Sequence, residues 1–243
     1  MIVSIHQPQY IPWLPYFHKV SESDVFILLD SVEFQKNGLQ NRNRIKTAGG
    51  ISWLTVPVRQ RLGQKILDVE INNNDNWQKK HAATIVQNYR KSPFFMIYSQ
   101  EIKEVYDREW HLLVDLNIYI LKWMLRNMGI TANILRSSNM HSHGKGTELI
   151  LNLCLEVGAT KYLSGIGGKK YINDEDFFEA GVEVVYVSPV LPTAYPQQHS
   201  KVGFISDLSA IDILLNCGAS WRNYLNYNVE QSEAPIKEGL LFQ

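Results

Sequence analysis

Cysteine is scarce: Cys154 and Cys217 are the only two in 243 residues. Both sit inside apolar helical patterns, beside Leu153 and Leu155 or Leu214 and Leu215, without metal-ligand spacing. A disulfide scaffold is therefore set aside, and the pair reads as buried, reduced core thiols. Net charge is missing as well. Twenty-four Lys and Arg residues balance twenty-four Asp and Glu residues, which removes a global field for nucleic acid or an anionic membrane surface. Long hydrophobic runs are absent; stretches such as "LNIYILKWML" are too short and interrupted to span a bilayer. The N-terminus enters strand-like residues at once, without a basic region and apolar run, so no secretory leader and a cytoplasmic location are expected. Nothing repeats at a fixed period. HExxH, G-x-S-x-G, the Walker A loop and the dinucleotide fingerprint are all lacking.

What is present is ample apolar content, 45% of residues, enough for the core of a single α/β domain over 1–243. Residues 2–5 and "DVFILLD" (24–30) are short apolar runs separated by a helix-length segment, the start of a βαβ unit. "RNRIKTAGGISWLTVPV" reads as an antiparallel hairpin about Ala48-Gly49-Gly50, and "ILDVEI" as a further alternating strand. A helical insert is expected over about 76–129, with one helix ending at Ser92-Pro93 and a second running from Trp110 through Met128 to Gly129. Strand and helix then alternate: "ITANILRSS", "TELILNLCLEVGA" capped by Thr147, "KYLSG", "DEDFFEAG" and "VEVVYVSP". The fold class is a mostly parallel sheet flanked by helices. A last helix, "DLSAIDILLNCG", precedes a tail at about 228–243 expected to be flexible.

Candidate chemistry gathers after strands. In open α/β sheets ligands bind beyond the carboxyl ends of strands. His6 and Gln7 leave the first strand there, within "HQPQYIPW", where Tyr10 and Trp13 offer flat faces and the prolines restrict the backbone. The competing reading makes the aromatics ordinary core. Asp30 ends the second strand. Beyond it, alternation places Asn41 and Asn43 on one face and Arg42 and Arg44 on the other, either a specific polar surface or a solvated one. "YLSGIGGKKYI" sets Ser164 and Gly165 at a strand exit before Lys169 and Lys170, a loop suited to an anion or else a plain glycine-rich turn. "AYPQQHSKVGF" adds Tyr195 and Gln197. His141 and His143, two apart without a carboxylate, do not make a metal site, and none is expected.

Five ordered blocks, "IHQPQYIPWLPYF", "LLDSVEFQKNGLQNRN", "WLTVPV", "YLSGIGGKKY" and "LSAIDILLNCG", resemble the WbqC-like family, almost throughout the chain to about Gly218. The opening in this family commonly runs His-Gln-Pro, Pro-Trp and then Gly, where this chain has Pro15. Members occur in bacterial gene clusters for O-antigen and other surface polysaccharides, and a glycine-transferring role has been suggested for them. The resemblance implies an enzyme acting on an activated amino sugar but supplies no catalytic residues. A weaker similarity of the opening strand order to nucleotidylyltransferase-like folds lacks their His-x-Gly-His signature. The expectation is an acyltransferase moving an aminoacyl group from an activated amino-acid donor, or one made with ATP, to a nucleotide-linked amino sugar. His6 would be the base, the Gly165–Lys170 loop and Arg42 the anion contacts, and Trp13 or Tyr10 a stacking wall. The alternative is a non-catalytic sugar-nucleotide or glycan-binding component in which Gln7, Asn41, Asn43 and Gln197 read hydroxyls.

Overall fold

The computed structural model describes residues 1–226; the expected tail lies outside them. Strand β1 (Ile2–His6) leads into α1 (Leu14–Ser21) and returns as β2 (Val25–Leu28), parallel to β1 with Val3 beside Val25 and His6 beside Leu28. Pro15 stands in the first turn of α1, where its missing N–H costs nothing and its fixed φ suits the helix. The hairpin forms as expected from β3 (Arg42–Thr47) and β4 (Gly50–Thr55), with Arg44 paired to Trp53.

"ILDVEI" departs from the expected strand. Ile66–Asp68 makes one 3-10 turn, and only β6 (Glu70–Ile71) is extended, pairing with β5 (Val58–Arg59). Tertiary pairing overrides the alternation: the Ile66 N–H is taken by Val32 O and the Leu67 N–H by Asp30 O, as the segment is pulled over the exit of β2.

Three helices follow: α2 (Trp77–Tyr89), α3 (Phe95–Asp107) and α4 (Leu113–Asn127). The sequence pattern singled out the first and last but not α3. In α4, Leu116, Ile120 and Met124 recur at helical spacing and are almost wholly buried, as an amphipathic stripe should be. They belong to the same apolar cluster as Phe17, Phe26 and Leu28, so the insert is integral to the core on that face of the sheet.

The second half alternates as the sequence indicates: β7 (Asn133–Arg136), α5 (Thr147–Glu156), β8 (Lys161–Gly165), α6 (Asp174–Glu179) and β9 (Glu183–Val187), then α7 (Ile211–Cys217). The cap of α5 differs from expectation. Gly146 holds the cap position, and the Thr147 hydroxyl instead donates to Tyr171 O at 2.6 Å. Leu149, Ile150, Leu153 and Phe177 cover the face of Val3, Ile5 and Ile27. The three central strands are thus buried on both sides, as in parallel sheets, while β7 and β9 at the edges are part-exposed.

Strand order in this five-stranded parallel sheet is β7-β2-β1-β8-β9. From β1 the chain steps outward through β2 to β7, then crosses back and steps the other way through β8 and β9. The reversal falls between β1 and β8. Their pairing covers Ile2 with Lys161 through Ser4 with Leu163; beyond it, at the carboxyl ends, the two strands part into different connections, the place where open α/β sheets form a ligand crevice.

Candidate functional site

The reversal point joins two segments that lie about 160 residues apart in the chain. Continuing the β1–β8 register past Ser4 and Leu163 sets Ile5 level with Ser164 and His6 level with Gly165. His6 and Gln7 thus leave one strand where Ser164, Gly165 and the Lys169–Lys170 loop leave its neighbour.

His6 is partly buried. Its Nδ1–H donates to Gln7 O at 3.0 Å, and its ring meets Tyr16 edge-on at 4.9 Å. With Nδ1 protonated, Nε2 carries the free lone pair. Burial, aided by the Lys19 charge, pushes the imidazole down to about 4, so it is neutral near pH 7. Gln7 is fixed through its side chain, whose Oε1 accepts from Gln40 Nε2 at 2.7 Å. Gln40 is held in turn: its Oε1 accepts from Gln35 N and its carbonyl from Asn117 Nδ2.

Lys19, which the sequence did not single out, donates from Nζ to Ile5 O at 3.0 Å. That carbonyl lies just past the last β1–β8 pair, so the ammonium enters the split between the strands. Burial lowers it to about 8. A signal was available: nearly every residue of α1 is buried, so a lysine in that helix had no solvated face to occupy.

On the β8 side, Ser164 is buried and donates to Gly165 O at 3.1 Å. Ile166–Lys170 forms a 3-10 turn. A side chain at Gly168 would fall 2.0 Å from Ser164 Oγ, whereas Gly165 and Gly167 border open space. One glycine is therefore required by packing, and two leave backbone accessible to a ligand. Lys169 Nζ rests 5.1 Å from the Tyr186 ring centroid. The Thr147 bond to Tyr171 O ties the end of this loop to the start of α5, whose first N–H groups have no side-chain cap.

Other sequence candidates are engaged within the protein. Asp30 is fully buried and accepts from Arg136 Nε, Ser137 Oγ, Ser138 N and Ser138 Oγ at 2.7–3.0 Å, clamping the exits of β2 and β7. Tyr10 has no exposed face; its hydroxyl meets His81 Nδ1 at 2.8 Å and the Tyr106 hydroxyl at 2.7 Å. Trp13 is half-buried and bridges Ser209 through its backbone. Asn41 donates to Val56 O, and Asn43 donates to Ile11 O at 2.9 Å. Their shared face turns inward and leaves Arg42 on the outer one. Tyr195 and Gln197 both donate to buried Asp212, which also accepts from Tyr89, while Gln197 Oε1 accepts from Lys46 Nζ. These two residues join a buried polar knot, not the β1–β8 crevice. Asp212 was visible as the lone acid in "AIDILLNC", since an isolated charge inside an apolar helix must be paired.

Surface relief alone points elsewhere. A hollow of about 480 Å³ lies between residues 21–24 and 131–133 at the amino edge of the sheet, opposite the strand exits. A groove of about 260 Å³ runs between Ile118, Lys122, Ile134 and Met140 beside β7. Neither gathers the groups at the exits of β1 and β8, although the groove takes in Arg136, the partner of Asp30. Among the described residues, no helix is long and apolar enough to cross a membrane.

Comparison with known proteins adds the family and little chemistry. Residues 7–224 match the WbqC-like protein family. An uncharacterized protein, Rv1507c of Mycobacterium tuberculosis (strain ATCC 25618 / H37Rv), is 33% identical over 228 residues, covering 93% of this chain and 97% of the relative. No solved structure matches.

Proposed function

The chain belongs to the WbqC-like protein family, and from this premise we propose a biosynthetic transferase of bacterial surface-polysaccharide (O-antigen) pathways. It passes an aminoacyl group, glycyl, from an activated amino-acid donor to the amine of a nucleotide-linked amino sugar. The observation supporting this reading is the adjacency of β1 and β8 at the reversal of strand order. A neutral imidazole there stands beside a loop with accessible backbone and two lysines. In the reaction the amine nitrogen bonds to the acyl carbon, the leaving group departs with the electron pair, and His6 Nε2 takes the amine proton. Backbone N–H groups of the Gly165–Lys170 loop would meet the developing oxyanion or the donor's phosphate, with Lys169 and Lys170 supplying charge. Gln7 would orient the acceptor sugar. Thioester, acyl adenylate made with ATP and aminoacyl-tRNA are the donor classes open to this reading, the balanced charge of the chain favouring the first two.

One observation favours a second reading. An imidazole held down to about 4 is a weak base, so it accepts a hydrogen bond more readily than a proton. In that case the same crevice belongs to a non-catalytic sugar-nucleotide or glycan-binding component. Incubation with a panel of nucleotide 4-amino sugars and activated amino acids, read by mass spectrometry, separates the two. Transfer gives a product heavier by one aminoacyl residue; binding alone gives none from any pair.

A further inference from the structure

The β3–β4 hairpin carries an outer face that stays half-exposed among the described residues. Directly across the hairpin from Arg44 stands Trp53, 45% exposed, and Ile51 beside it is 46% exposed. Two guanidinium groups converge on that one indole, Arg42 at 4.6 Å and Arg44 at 5.4 Å from the ring centroid. Stacking of this kind holds each planar fork in a fixed orientation, which reduces the entropy lost when it grips an oxyanion. The charge here is unbalanced. Arg44 pairs with Asp207 at 2.7 Å, while Arg42 makes no ion pair among the described residues and gives one N–H to Asn37 O. Among the described residues the Nε atoms of both arginines are shut off from solvent without an acceptor. Two cations, one carboxylate and a half-exposed aromatic therefore share one surface, where the terminal guanidinium nitrogens keep N–H groups that no described residue takes.

Chain continuity links this surface to the crevice. Arg42 follows by two residues the Gln40 whose side-chain amide donates to Gln7.

We infer that Arg42, Arg44 and Trp53 form a binding site for the pyrophosphate group of a nucleoside diphosphate. As the nucleotide end of the acceptor substrate, this assignment rests on the transferase reading; as an anion site it stands separately. Guanidinium forks match phosphate oxygens bidentately. The site is distinct from the Lys169–Lys170 loop, which is left to the donor, so each of two substrates has its own anion contact.

Calorimetric titration of the full chain with UDP and with inorganic pyrophosphate tests it, with thermal melts to show that each variant is folded. UDP should bind, and pyrophosphate should compete with it. Arg42→Gln should weaken binding about tenfold, Arg42→Gln with Arg44→Gln should abolish it, and Trp53→Ala should weaken it by loosening both forks. Lys169→Ala with Lys170→Ala should leave UDP affinity unchanged. Absence of UDP binding, failure of pyrophosphate to compete, or affinity insensitive to the folded double arginine variant would overturn the site. Aminoacyl transfer measured in parallel keeps the two proposals apart. Binding without any product faults the transferase and leaves the anion site standing, whereas turnover without hairpin-dependent binding faults the site alone.

Discussion

A histidine that spends its Nδ1–H on a backbone carbonyl has one basic nitrogen left, and for His6 the neighbours keep that nitrogen unprotonated. The active form of such a base persists as pH falls and is lost only near about 4. Once the loss of free acceptor amine, which protonates below its own pKa, is divided out, turnover should stay level from neutrality down to about pH 5 and then drop. A halving near 6.5 that survives this correction would place the base elsewhere. His6→Gln should lower kcat by about a hundredfold or more with the fold intact, the usual contribution of positioned acid–base catalysis. His81 gives a stability counterpart. Its Nδ1 accepts the Tyr10 hydroxyl, and burial lowers its imidazole to about 4. A group depressed by folding contributes stability above its ordinary value of 6.5, and that stability is lost as pH falls toward the folded value. Denaturant melts at pH 7 and pH 5 should show the native chain losing about 2 kcal/mol more than His81→Gln. Equal losses would mean that His81 is not held neutral.

The loop after β8 divides into glycines with different reasons to be glycine. Gly168→Ala places a methyl against Ser164 Oγ, and overpacking of this sort costs about 1–3 kcal/mol. Adding Ser164→Ala should recover part of that loss, because the clash is with the hydroxyl. Gly167→Ala meets nothing within 4 Å and should leave the melting temperature nearly unchanged; a large drop in its stability would contradict the open space beside Gly167. Both halves of this loop were legible as a strand exit followed by glycines and lysines, but which glycine is packed was not, since Ser164 meets Gly168 only through the 3-10 turn. The same limit explains Asn41, Asn43, Tyr195 and Gln197. Alternation separated the asparagines from Arg42 and Arg44, yet the side facing inward depended on Tyr10, Ile11 and Val56 packing under the hairpin. Likewise α3 starts after Phe94 without a side-chain cap to mark it, and "ILDVEI" alternates like a strand although long-range backbone partners decide its shape. The Asp212 carboxylate accepts from Tyr89, Tyr195 and Gln197, while Asn216 Nδ2 donates to the Asp212 backbone carbonyl at 2.8 Å. Asp212→Leu should destabilise the chain by about 3–5 kcal/mol, because it strands the Tyr89 and Tyr195 hydroxyls in the interior and removes the carboxylate charge near Lys46, which keeps its own bonds to Gln197 Oε1 and Gly203 O. A loss below about 1 kcal/mol in chemical denaturation would show the knot to be dispensable.

At the scale of the whole molecule, the strand order turns separate motifs into one candidate site. The parallel sheet, its flanking helices and the hairpin were readable from apolar runs and turns; the adjacency of β1 and β8 was not, because it depends on a crossover between β7 and β8 that no local pattern specifies. The three-helix insert shares its core with α1 and β2, so it should stay protected whether or not the crevice is filled. Hydrogen–deuterium exchange, followed by mass spectrometry with and without a UDP-linked 4-amino sugar plus an activated glycine donor, tests the joined site directly. The expected result is concurrent protection of peptides spanning residues 5–13 and 164–172, with little change in α2, α3 and α4. Protection of only one of the two segments, or protection confined to the groove beside β7 with both strand exits unaffected, would contradict a single site built across β1 and β8.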